Sequence, residues 1–98
     1  MALNRKLTPL LVGRIIHTIL QDEGLLWIIF NDHSEMRVKI GAPASHESFN
    51  GRIVQRVRQE DTWLSIDFDD KTSLEITLAA PTSCVMLRKK DCTLEYSD

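Results

Sequence analysis

Laid over itself at an offset of 38 residues, the chain repeats: Gly13 to Ser45 aligns with Gly51 to Ser83 without a gap, and 11 of the 33 aligned positions are identical. The identities include Gly13/Gly51, Arg14/Arg52, Leu26/Leu64, Ile28/Ile66, Phe30/Phe68, Asp32/Asp70 and Pro43/Pro81. Most of the other positions keep their class, as in Ile19/Val57, Met36/Leu74, Val38/Ile76 and Ile40/Leu78. A self-similar period of this length marks a supersecondary unit that cannot cover its own apolar face and needs its neighbour to do so. Whatever backbone one unit adopts, the other must tolerate too.

Within a unit the apolar residues alternate. Leu26, Ile28 and Phe30 are followed by Met36, Val38 and Ile40, and Leu64, Ile66 and Phe68 by Leu74, Ile76 and Leu78. A period of two places each set on one face of adjacent strands. Between them lie Asn31-Asp32-His33-Ser34 and Asp69-Asp70-Lys71-Thr72, tight turns in which the Asp carboxylate reaches backbone N–H groups two residues on. The device recurs at Asp91-Cys92-Thr93, so Val85–Arg88 and Leu94–Tyr96 are expected to form a third hairpin. Thr8 to Gly24 reads as a helix when taken alone. The equivalent Arg52 to Glu60 has a strand pattern, however, so helix is expected only over Asn4 to Val12. Strands are expected near residues 14–22, 25–31, 36–41, 52–60, 63–69, 74–79, 84–88 and 93–96. The fold class is therefore all-β with one short N-terminal helix: two tandem three-stranded β-meander repeats (13–45 and 51–83) plus a C-terminal hairpin. They are expected to pack as a small sandwich or barrel in one domain over residues 1–98.

The 12 basic and 14 acidic residues leave a net charge of −2 and are spread along the chain. Such a balance supplies no field to draw the protein onto nucleic acid or an acidic membrane. The apolar run after Pro9 is too short for a signal-peptide core or a span. Cys84 and Cys92, eight residues apart, have no zinc-ligand spacing and are expected to be reduced. A cytoplasmic protein is the expectation. A chain of 98 residues buries a limited share of its surface, which makes a second subunit an asset.

Divergence between the units is most informative on their outward positions. Leu25, Trp27 and Ile29 stand where the second unit has Trp63, Ser65 and Asp67, and Ile16, Thr18 and Leu20 where it has Val54, Arg56 and Arg58. Arg37 and Lys39 replace Glu75 and Thr77. The outer face of the first repeat is thus apolar and basic, and something is expected to cover it: the N-terminal helix, a second subunit, or both. The interface candidates are Ile16, Leu20, Leu25, Trp27, Ile29, Arg37 and Lys39, with Asp67 and Glu75 as acidic counterparts of Arg37 across a twofold.

No catalytic, cofactor-binding or metal-binding residues are assigned. His17, His33 and His46 share no ligand spacing, and neither Cys92 nor Ser45 beside His46 has a nucleophile elbow or a triad around it. Asp22-Glu23, Glu60-Asp61 and Asp69-Asp70 fall at turns, where acids serve conformation. Arg14 and Arg52 are expected to pair with acids such as Glu95 or Asp98. The chain carries no motif of a characterised family and, as a small all-β protein, resembles many small bacterial proteins. The expected function is a non-enzymatic binding or assembly module that forms a homo-oligomer, a dimer by preference, without cofactor or membrane. One alternative is a barrel binding single-stranded nucleic acid through Trp27, His33, Arg37 and Lys39. Another is a small-molecule binder using a pocket between the repeats.

Overall fold

A computed structural model of the chain describes residues 2–44 and 49–98. A short helix, α1 (Leu7–Leu11), precedes eight strands: β1 (Ile16–Asp22), β2 (Leu25–Phe30), β3 (Glu35–Lys39), β4 (Val54–Glu60), β5 (Trp63–Phe68), β6 (Ser73–Thr77), β7 (Val85–Arg88) and β8 (Leu94–Ser97). Each bound of β4 to β6 lies 38 residues after its counterpart in β1 to β3. The helix is shorter at both ends than Asn4 to Val12. Asn4 Oδ1 accepts the N–H groups of Lys6 and Leu7 before the first turn, and Gly13 leaves the helical region at φ 87°.

Three of the hairpins, β2–β3, β5–β6 and β7–β8, share one turn chemistry. Asp32, Asp70 and Asp91 each accept the backbone N–H two residues on, from Ser34 (2.9 Å), Thr72 (3.0 Å) and Thr93 (2.9 Å). Asp32 and Asp70 also accept the Ser34 and Thr72 hydroxyls. The residue between, His33, Lys71 or Cys92, sits at φ 69°, 70° or 69°. That left-handed residue gives a three-residue hairpin the twist its strands require.

The strands form two antiparallel sheets, β1-β2-β3-β7-β8 and β4-β5-β6, packed as a sandwich. Their facing sides carry the alternating residues picked out by the sequence. Leu26, Ile28, Phe30, Met36 and Val38 meet Leu64, Ile66, Phe68, Leu74 and Ile76, all at most 1% exposed. A closed barrel does not form: among the described residues the strands of the two units are bridged outside the sheets only at their corners. There Ile15 bridges Ile53 and Ile40 bridges Leu78, each a residue paired with its own repeat counterpart. The bonds at these corners are reciprocal: Ile16 N–H donates to Arg52 O and Val54 N–H to Arg14 O, while Gly41 N–H donates to Thr77 O and Ala79 N–H to Lys39 O. A local pseudo-twofold therefore runs between the units. Gly13 and Gly51, at φ 87° and 85°, donate to Val54 O and Ile16 O at one corner, where a side chain would be strained.

One expectation about β1 fails. Ile16 is 1% exposed and pairs with the core residue Phe30, whereas Thr18 pairs with Ile29 on the outer face. The register slips between Ile16 and Thr18, and in the same way between Val54 and Arg56. A bulge adds one residue and reverses which parity points inward. Ile16 and Ile19 thus both face the core, and Ile16 is not an outer-face residue.

The helix does not cover the outer face of the first repeat either. It packs against β4, with Leu7 and Leu11 fully buried in the shared core. The segment before it runs along the free edge of β4, where Asn4 N–H donates to Val57 O and Gln59 N–H to Ala2 O, both at 2.8 Å. Thr8 Oγ1 completes the attachment by accepting from Val57 N–H (2.9 Å) and donating to Val57 O (3.1 Å). An edge strand that would otherwise present unpaired backbone is blunted in this way.

Candidate interaction surface

With the helix on the β4 side, the outer face of the five-stranded sheet is left open. Cross-strand pairs set out its residues in rows: Leu20, Trp27, Arg37, Met86 and Ser97 in one, Thr18, Ile29, Glu35, Arg88 and Leu94 in the next, Asp22, Leu25 and Lys39 in a third. Paired residues on one face lie side by side, so Leu20, Leu25, Trp27 and Ile29 form a contiguous apolar patch, with Met86 set apart beyond Arg37. Leu20 is 52% exposed, and Leu25, Trp27, Ile29 and Met86 are half-buried. Arg37 and Lys39 stand exposed beside them, and Arg37 Nε donates to Glu35 Oε1 at 3.0 Å within the same strand. A groove on this face runs between Leu25, Lys39, Cys84 and Met86.

The outer face of the three-stranded sheet, on the opposite side of the sandwich, is built differently. Asp67, only 4% exposed, accepts from Arg56 Nε and Arg58 Nε at 2.7 Å each, from Arg58 Nη2 at 2.9 Å and from Ser73 Oγ at 2.7 Å. Buried Ser65 joins the same cluster. Burial opposes ionisation of Asp67, but the hydrogen bonds from Arg58, Ser73 and Arg56 and the charge of Arg58 outweigh it and hold the carboxyl at about 2. In return Asp67 holds the Arg58 guanidinium above its ordinary range.

This placement changes the picture of Arg37 opposite Asp67 or Glu75 in a twofold pair. Asp67 is taken by two arginines of its own sheet, and Arg37 is on the far side of the sandwich from both acids. Glu75 is exposed. One twofold contact uses one surface patch on both subunits, so it cannot engage two opposite faces at once.

The remaining sequence candidates are spread out. His33 sits in the turn after β2, away from Lys39 at the other end of β3, so the structure gathers Trp27, Arg37 and Lys39 but not His33. His17 is exposed on β1. Ser45 and His46 lie outside the described residues. Arg14 pairs with Glu95 (Nη2 to Oε2, 2.8 Å) and lies 3.8 Å from Asp32, while its Nη1 is buried without a hydrogen-bond partner. Arg52 lies over the Phe49 ring at 4.8 Å and reaches Asp70 at 3.6 Å. Arg14 thus pairs with one of the acids named from the sequence, Glu95, while Arg52 reaches Asp70 instead. Cys84 is buried and Cys92 exposed, both as free thiols, with Cys84 N–H bonded to Asp98 O. Among the described residues no three His, Cys, Asp or Glu side chains are grouped to hold a metal ion, and no helix is long and apolar enough to cross a membrane.

The outer-face cluster Arg56–Asp67–Arg58 is what sequence reading missed. The sequence placed Arg56 and Arg58 at outward positions, but their meeting with Asp67 depends on the cross-strand register of β4 and β5. No family model, no curated protein and no solved structure matches the chain.

Proposed function

We propose that this protein is a non-enzymatic binding and assembly module, cytoplasmic, whose mode of action is self-association through the outer face of its five-stranded sheet. One observation carries the reading: of two faces built on like meanders, one has its middle filled by its own Arg–Asp–Arg cluster, with Trp63 exposed only at the strand end, and the other sets Trp27 among Leu20, Leu25 and Ile29 with no cover from the described residues. Contiguous apolar surface of this kind marks an association site. Trp at the centre with Arg at its side is the composition of an interface core. The reduced thiols suit a reducing compartment. The units, read as copies of one ancestral meander, then diverged because only one faces a partner.

Sedimentation velocity from low to high micromolar concentration tests the reading. The wild type is expected to shift to a dimer, and Trp27→Glu to remain monomeric while keeping the far-UV spectrum of the wild type. A chain that stays monomeric throughout refutes it. A second reading, single-stranded nucleic acid stacked on Trp27, is favoured by Arg37 in the same row and Lys39 beside it. Retention of labelled single strands at low salt, lost in Lys39→Glu, would support that reading instead.

A further inference from the structure

The open face is a small grid. Its middle column on β2 is Leu25, Trp27 and Ile29; the flank on β1 is Asp22, Leu20 and Thr18, and the flank on β3 is Lys39, Arg37 and Glu35. Resting on the self-association reading above, we propose that the occupant is a second copy of the chain related by a twofold axis running along β2. The β1 of each copy then lies over the β3 of the other.

Every axis in the plane of the face through Trp27 keeps it at the centre, and two of these follow the grid. An axis across the strands, along the row Leu20, Trp27 and Arg37, returns every residue of that row to itself and stacks Arg37 on its own copy. Like charges brought together as water is expelled oppose association. An axis along β2 returns only Leu25, Trp27 and Ile29 to themselves, and all three are apolar. It exchanges the flanks, so that Asp22 meets Lys39 of the second copy and Leu20 lies along the aliphatic stem of Arg37. Each such contact occurs twice. The guanidinium of Arg37 is already balanced by Glu35 at 3.0 Å. Asp22 and Lys39 are both exposed and make no ion pair among the described residues. The one bond to the Asp22 carboxylate, from Glu23 N–H, engages Oδ1 and leaves Oδ2 for the lysine. The axis across the strands would set Lys39 opposite Glu35, but that carboxylate is already held by Arg37 at 3.0 Å, so of the two the charge pattern favours the axis along β2.

Sedimentation equilibrium on the full chain separates the outcomes. Lys39→Asp and Asp22→Lys are each expected to weaken the dimer by about tenfold or more, and the double variant carrying both to return to within about threefold of wild type. Because both residues are exposed, thermal melts of the variants should match the wild type at concentrations low enough for the wild type to be monomeric. Should either charge reversal fail to fold, Asp22→Asn and Lys39→Gln in a double-mutant cycle read the same coupling. A dimer that Trp27→Glu abolishes but that shows no coupling between positions 22 and 39 overturns the axis along β2 and leaves self-association standing. A wild type that never dimerises overturns both.

Discussion

Single residues in this protein carry conformational or electrostatic work that can be measured one at a time. Lys71 holds a left-handed conformation at φ 70° in an exposed turn, where its Cβ is crowded by backbone. Lys71→Gly should raise stability by about 0.5–1 kcal/mol, seen as a higher urea midpoint at unchanged slope. Asp67 offers a test against pH. Its folded value of about 2 lies below the usual carboxylate range, so its ionised form stabilises the fold at every pH above the unfolded value near 3.9. That contribution, on the order of 2 kcal/mol, disappears as the pH falls from about 4 through 2. Asp67→Asn should therefore unfold earlier in urea at pH 7, and the gap to wild type should shrink as the solution approaches pH 2. The cost is moderated because Arg56 and Arg58 are partly exposed, and solvent can take them up. Asp32, Asp70 and Asp91 are also held below the usual range. At Asp70 and Asp91 the side-chain and backbone donors of Thr72 and Thr93 dominate; at Asp32 burial opposes, and Ser34 and Arg14 prevail. The turn acids were legible in the sequence because their bonds span two residues. The fate of Asp67 was not, since it depends on cross-strand register with Arg56, and an acid on an outward position reads as available until its neighbours are known.

At the scale of elements, the bulge at the start of β1 and β4 decides what each strand buries. Alternation through β2, β3, β5 and β6 was legible because their runs are uninterrupted. In β1 it misplaced Ile16, because a bulge shifts parity without changing composition. The repeat helped here, since it ruled out a long helix over residues 14 to 22 by requiring both units to be strands. Position of the helix was beyond the sequence, because Leu7 and Leu11 would serve equally well against either sheet. Its actual seat beside β4 predicts a steep penalty for Leu11→Ala, about 2–5 kcal/mol as the cavity stays unfilled. Thr8→Ala, which removes two bonds to Val57 at the strand edge, should cost about 1 kcal/mol. Urea titrations of the two variants rank them, and a Thr8 loss as large as the Leu11 loss would mean that edge attachment outweighs packing.

For the whole molecule, the proposal that pairs of chains meet through the Trp27 face makes melting depend on concentration. A partner bound only by the folded state adds stability that grows with protein concentration. The wild-type melting temperature is expected to rise by a few degrees over a hundredfold increase in concentration, and that of Trp27→Glu to stay fixed, as read by scanning calorimetry. The apolar bias that motivates this was plain in the sequence, as were the charges beside it. Which of the two back surfaces stays available was not, because the sealing of one depends on Arg56, Arg58 and Asp67 meeting in space. That sealing bears on stoichiometry. A particle adhesive on two opposite sides would add copies end on end into filaments. Here the arginines folded over Asp67 fill the middle of the far side and leave Trp63, 50% exposed at the end of its strand, as the one place on that side, among the described residues, from which growth past two could start.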